Sequence, residues 1–216
     1  MGGEPVQILR VKDGHSVEFN EAKLERILLA DHVKDRPVVV ISVAGAYRQG
    51  KSFLLCFLLR FLRNIGRSNW MDDADTPLRG FLWRPGSSRE TMGILLWSEV
   101  FLMKNSEGEE VAVLLMDTQG TFDGDATTKE SATIFALSMM TSSVQIYNLM
   151  NNIKEDDLQH LQFFAESLIA SRLEIKEGQA AELKTLRQSL SSSFCEIDGF
   201  LLPFPGTKYT SFLNGL

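Results

Sequence analysis

The chain has 216 residues, 44% of them hydrophobic and 23% charged, with a formal net charge of −6. This is the make-up of a globular domain with a sizeable core, and no basic cluster is there to neutralise nucleic-acid phosphates or an acidic membrane surface. Two cysteines, Cys56 and Cys195, are too few for a disulfide scaffold and point to a reducing compartment.

The opening "MGGEPVQILRVK" has neither the basic start nor the apolar run of a signal peptide. Gly2 follows Met1, but Val6 stands where myristoylation wants Ser or Thr. Residues 6–11 and 16–19 read as short strands. "NEAKLERILLADHV" reads as a helix capped by Asn20, with Leu24, Ile27 and Leu28 on one face. Pro37 ends that region, and residues 38–43, β-branched except Ser42, make a buried strand. "KSFLLCFLLRFLRN" is a helix apolar on nearly every side, which belongs at the centre of a domain. Residues 69–88, with Pro77, Gly80, Pro85 and Gly86, read as a long loop.

"ILLWSEVFLM" and "EVAVLLM" flank "KNSEGE", a turn that joins hairpin strands. "DTQGTFDGDATTK" is a second loop. "ESATIFALSMM" is a helix, "SSVQIYNL" a strand, "KEDDLQHLQFFAESL" and "AELKTLRQSLSSSF" further helices, and "IDGFLLPFPG" a last strand and turn. Residues 131–153 carry no charge and are long enough to span a bilayer, but hold too many Ser, Thr, Asn and Gln for a membrane helix. The chain is therefore expected to be soluble. Strands alternating with helices predict a three-layer α/β domain.

Gly45, Gly50, Lys51 and Ser52 satisfy G-x-x-x-x-G-K-[ST] with a strand before and a helix after. Backbone N–H groups of such a loop, and the helix N-terminus, attract anions. Lys51 reaches the outer phosphates, and Ser52 offers a hydroxyl to Mg²⁺. The alternative is a glycine-rich turn whose lysine snorkels to water. Gln49, inside the motif, and Phe53, just after it, are counted as nucleotide-binding with it. Arg48 has two readings: a solvated arginine, or a guanidinium that swings over the γ-phosphate as an arginine finger in cis.

"VLLMDTQG" is an apolar strand ending in Asp117, with Gly120 three residues on. A carboxylate there can serve Mg²⁺ through water, and the Gly120 N–H can sense the γ-phosphate; the alternative is an aspartate capping the next turn. A threonine on the intervening loop should complete the metal set. Thr91 suits that role, and Thr76 competes for it. Three loops that order around one γ-phosphate make a switch.

"SVAGAYRQGKSFLL", "GFLWRPGSSRETMGI", "VAVLLMDTQGTFD" and "EDDLQHLQFF" closely resemble the atlastins. These are dynamin-related GTPases, kin to the guanylate-binding proteins, that tether and fuse endoplasmic-reticulum membranes. The likeness runs from Val6 to about Ala165 and resumes from about Glu182 to Gly206. It implies a P-loop G domain with a mostly parallel sheet, GTP and GDP as ligands, and Mg²⁺ held by Ser52, Thr91 and Asp117, directly or through water. It implies Arg48 as the cis arginine finger, the one catalytic side chain, and Lys51 on the β- and γ-phosphates. Pro203 to Gly206 resemble the start of the loop that caps guanine and helps two copies dimerise through their nucleotide faces. Gln119 is a weaker candidate for placing the attacking water. The full-length family sits on the cytoplasmic face of the endoplasmic reticulum.

The chain departs from that pattern in one place. The family reads guanine with an Arg-Asp pair ending an apolar strand after the "DDLQHLQ" helix. Here the chain reads "FAESLIASRLEIKEGQAAELKTLR", and no aspartate follows its short apolar cluster. The expectation is a single incomplete G domain, with a P-loop core over residues 36–206. A deletion between about 165 and 182 would remove one interior strand. No helical bundle, membrane hairpin or amphipathic tail follows before Leu216, so this chain alone is expected to touch no membrane. A catalytically impaired form with lost guanine selectivity, and a less selective P-loop hydrolase, are the other readings. His15, His32 and His160 lack partners at ligand spacing, residues 155–157 suit a helix start, and Trp70, Trp83 and Trp97 read as packing residues.

Overall fold

A computed structural model describes residues 2–12, 16–46, 49–71, 77–82, 93–118 and 128–149, with 195, 196, 198–200 and 202. Its elements in chain order are β1 (Pro5–Lys12), β2 (Ser16–Phe19), α1 (Glu21–Leu28), β3 (Val38–Ala44), α2 (Lys51–Arg63), β4 (Ile94–Trp97), β5 (Phe101–Lys104), β6 (Glu110–Thr118), α3 (Thr128–Thr141) and β7 (Val144–Tyr147).

One sheet runs β2-β1-β4-β6-β3-β7. β3 is parallel to both β6 and β7. The pairs β1–β2, β1–β4, β4–β6 and β5–β6 are antiparallel. The sheet of the described residues is thus mixed, where a mostly parallel one was expected. The reason is local. A turn too short for a crossover joins β5 to β6, and such a turn can only make an antiparallel pair. In that turn Asn105 Oδ1 accepts from the Glu107 and Glu109 amides at 3.0 and 2.9 Å, and Gly108 takes φ 83°.

β6 explains the two layers of packing. Val111, Val113 and Leu115 face one apolar cluster, which Leu55, Cys56 and Leu59 of α2 complete. Leu114 and Met116 face the other, with Ile27 of α1 and Ile134 of α3. Alternation of period two therefore puts apolar side chains on both faces, so the strand reads as an unbroken hydrophobic run. β4 repeats the device: Ile94 and Leu96 lie on the α1/α3 side, Leu95 and Trp97 on the α2 side. With α2 on one face and α1 and α3 on the other, the expected three-layer α/β architecture is present. Leu59 is fully buried, which contributes about 1.5–3 kcal/mol.

α1 begins where Asn20 Oδ1 accepts from the Lys23 amide at 3.2 Å, the cap read from the sequence. "ILLWSEVFLM" is two strands rather than one. Glu99 lies in the break and accepts from Arg63 Nη2 at 2.5 Å, Arg63 Nε at 3.1 Å, Trp97 Nε1 at 3.3 Å and the Gly3 amide at 3.4 Å. Satisfying that carboxylate turns the chain, so β4 pairs with the end of β6 and β5 with its beginning. The helices expected after residue 150 lie outside the described residues. Of the expected last strand, residues 198–200 and 202 are described and stand outside any strand; no neighbouring strand pairs with them among the described residues. No helix among the described residues is long and apolar enough to cross a membrane.

Candidate functional site

The parallel register sets Val43 of β3 opposite Asp117 of β6. Both strands therefore deliver their C-terminal ends to one edge of the sheet, and α2 starts from that edge. In parallel sheets this edge is where ligands bind. Thr118 Oγ1 donates to the Val43 carbonyl at 2.8 Å, a buried tie between the two strand ends.

Gly45 follows β3 with φ 144° and is buried. A Cβ there would overlap the Asn148 carbonyl oxygen, so position 45 needs glycine for space as well as for its dihedral. Gly50 caps α2 with φ 81°. Lys51, the first helical residue, is only 7% exposed, and its Nζ donates to the Ala46 carbonyl at 2.9 Å, back across the loop. A buried ammonium is costly without compensating oxygen. The loop supplies one such oxygen here, and a phosphate would supply more.

Ser52 Oγ donates to Asp117 Oδ2 at 2.6 Å, and Asp117 is fully buried. Two hard oxygen donors thus meet beside the lysine. Among the described residues no three His, Cys, Asp or Glu side chains gather. A cation here would draw its other ligands from water and phosphate, as Mg²⁺ does and a caged Ca²⁺ does not. The donor set fits Mg²⁺. Phe53, next in the chain, packs edge-on against Phe57, ring centroids 5.0 Å apart.

Gly45, Gln49, Gly50, Lys51, Ser52 and Asp117 are thus brought together. Arg48, Thr91 and Gly120, with Thr76 and Gln119, lie outside the described residues. Two features are invisible to motif reading. Asn148, just past β7, donates through Nδ2 to the Gln49 carbonyl and through its backbone N–H to the Ala44 carbonyl at 2.8 Å. A buried hydroxyl chain, Ser42 to Ser138 at 2.7 Å and Ser138 to Gln145 Oε1 at 3.0 Å, ties β3, α3 and β7 behind the loop. The only sequence signal for either is a polar residue breaking an otherwise apolar strand or ending it.

The family model of the guanylate-binding protein N-terminal domain matches residues 14–172. Atlastin-1 of Rattus norvegicus is 47% identical over 242 residues, an alignment covering 94% of this chain and 43% of the rat protein. Atlastin-3 of Homo sapiens is 47% identical over 246 residues, covering 94% and 46%. Atlastin-3 of Mus musculus is 45% identical over 252 residues, covering 97% and 47%. The chain spans less than half the length of these relatives. Each alignment is also longer than the 216-residue chain, so the relatives carry residues where this chain has gaps.

Proposed function

The chain belongs to the guanylate-binding protein N-terminal domain family, and on that premise we propose that it binds GTP with Mg²⁺ at the β3–α2 loop and hydrolyses the γ-phosphate. The observation that carries this is Lys51, buried at the mouth of the loop beside the Ser52–Asp117 pair. Lys51 neutralises the β- and γ-phosphates, and the amides from Gly45 to Ser52 hold their oxygens. Ser52 and Asp117, joined by Thr91, would hold Mg²⁺, which would supply positive charge to offset that of the phosphates. Arg48 stabilises the charge that develops on the departing oxygens, and Gly120 reads the γ-phosphate. Water takes the γ-phosphoryl group, and GDP and inorganic phosphate are the products. Phosphoryl transfer of this kind asks for positioning and electrostatics rather than a protein nucleophile.

At the level of the whole protein, the same reading makes this domain the pairing element of a machine that tethers and fuses endoplasmic-reticulum membranes. Two copies meet through their nucleotide faces on the cytoplasmic side.

The sequence over residues 164–188, where no aspartate follows the short apolar cluster, favours a second reading. A chain lacking the Arg-Asp strand would lose two hydrogen bonds that guanine donates to a charged carboxylate. At about 1.5–3 kcal/mol each, that is roughly two to four decades of affinity, and guanine selectivity goes with it. A titration with fluorescent GTP and ATP analogues and Mg²⁺, run on the parent and on Lys51→Ala, separates these outcomes. Tight, guanine-selective, Lys51-dependent binding supports the GTPase. Weak and equal binding of both supports a phosphate-gripping form that no longer reads the base. Binding that ignores Lys51→Ala overturns the site.

A further inference from the structure

The residue that holds the phosphate loop from outside is Asn148. Its backbone N–H donates to the carbonyl of Ala44, the residue before the loop, at 2.8 Å. Its side-chain Nδ2 donates to the carbonyl of Gln49, near the loop's end. Its own carbonyl oxygen occupies the space a side chain at position 45 would need. One residue, arriving on the neighbouring strand through the Ala44–Tyr147 register, therefore touches both ends of the loop.

Geometry makes the Gln49 contact consequential. In a trans peptide the N–H points opposite the C=O. Fixing the Gln49 carbonyl fixes the direction of the Gly50 N–H, one of the amides available to an anion at the start of α2. A loop held in one arrangement before the ligand arrives loses less entropy on binding.

We infer that Asn148 is a positioning residue for the phosphate loop, acting through the Gln49 carbonyl rather than on the ligand; the identity of that ligand rests on the nucleotide reading above. A carboxamide suits the role because it donates and carries no charge. Aspartate has the same shape but only accepts when ionised, and it would face a carbonyl oxygen and add negative charge near the phosphates.

The test uses the full chain with Asn148→Ala and Asn148→Asp, read by competition of a fluorescent GTP analogue against inorganic tripolyphosphate, both with Mg²⁺. Loss of one such hydrogen bond predicts about three- to tenfold weaker binding in Asn148→Ala. The factor should be the same for the nucleotide and for tripolyphosphate, because the base is not involved. Asn148→Asp should bind more weakly still. Hydrogen exchange without ligand gives the second readout: protection of the Leu54 amide, which donates to the Gly50 carbonyl at 2.9 Å, falls in Asn148→Ala, while that of β3 stays.

Asn148→Asp binding like the parent would overturn the proposal, since shape alone would then suffice. Unchanged exchange at the Leu54 amide in Asn148→Ala would overturn it too. If the parent holds neither ligand, or if Lys51→Ala holds both as well as the parent, the nucleotide reading fails separately, and exchange still decides the role of Asn148. Should Asn148→Ala lose its cooperative melt, Asn148→Ser is read by the same two measurements.

Discussion

Replacing Gly45 by alanine adds one methyl group and should cost far more than the same change at Gly108. Both glycines have positive φ, 144° and 83°. At Gly108 no described atom lies within 4 Å of the new Cβ, so only the dihedral penalty of about 1–2 kcal/mol is incurred. At Gly45 the Cβ runs into the Asn148 backbone carbonyl, which cannot swing aside as a flexible side chain can. Relief requires Asn148 to retreat and its bond to Ala44 to open, a further loss of about 0.5–1.5 kcal/mol. With the strain stored in the strand end, the total is about 2–4 kcal/mol. A domain of this size loses roughly 2–4 °C of Tm per kcal/mol. Thermal unfolding without ligand should therefore show Gly45→Ala about 4–16 °C below the parent and Gly108→Ala about 2–8 °C below. A Gly45→Ala protein that melts at or above the Gly108→Ala protein would refute the close approach of β7 to the loop.

Two further outcomes follow from other parts of the molecule. Burial pushes the Cys56 thiol up to about 12, and its Sγ donates to the Phe81 carbonyl at 3.4 Å. A disulfide reagent at pH 8 should therefore label exposed Cys195 quickly and Cys56 only on unfolding; equal rates in the native protein would contradict the packing of α2. Partial burial pushes the Glu99 carboxyl up, but hydrogen bonds from Arg63 and Trp97 outweigh it and leave the group below the usual carboxylate range. A lowered folded value means stability that is present above the unfolded value and lost as pH falls through the folded one. Because the pair is partly exposed, Glu99→Gln should cost no more than about 1 kcal/mol at pH 7. The gap to the parent should narrow as pH falls below the ordinary carboxylate range, and a constant gap in chemical denaturation over that fall would argue against the ion pair.

Much of this was legible because the signals were local. The N-cap at Asn20, the hairpin turn at residues 105–109, and the strand–glycine–lysine–helix run at 38–63 each depend on neighbours in sequence. The place of Asp117 near the end of β6 was legible because an apolar run leads up to it. What sequence hid were contacts across tens of residues. The break between β4 and β5 comes from Glu99 meeting Arg63 and Gly3, and no propensity scale contains that pair. Asn148 looked like the end of a strand, because its partners, Ala44 and Gln49, lie about a hundred positions earlier. The resemblance implied a mostly parallel sheet, whereas four of the pairings among the described residues are antiparallel.

The place of β1 between β2 and β4 has a consequence during synthesis. β2 emerges from the ribosome almost at once, but Ser98, which exchanges hydrogen bonds with Glu4, comes 94 residues later. At about 5–20 residues per second, β1 waits roughly 5–20 s with one edge open. Through that interval the nascent hairpin offers its bare side to any strand nearby, including one on a neighbouring ribosome of the same message. Slow codons between residues 20 and 94 should lengthen the wait and raise the yield of tangled product, whereas fast ones should lower it.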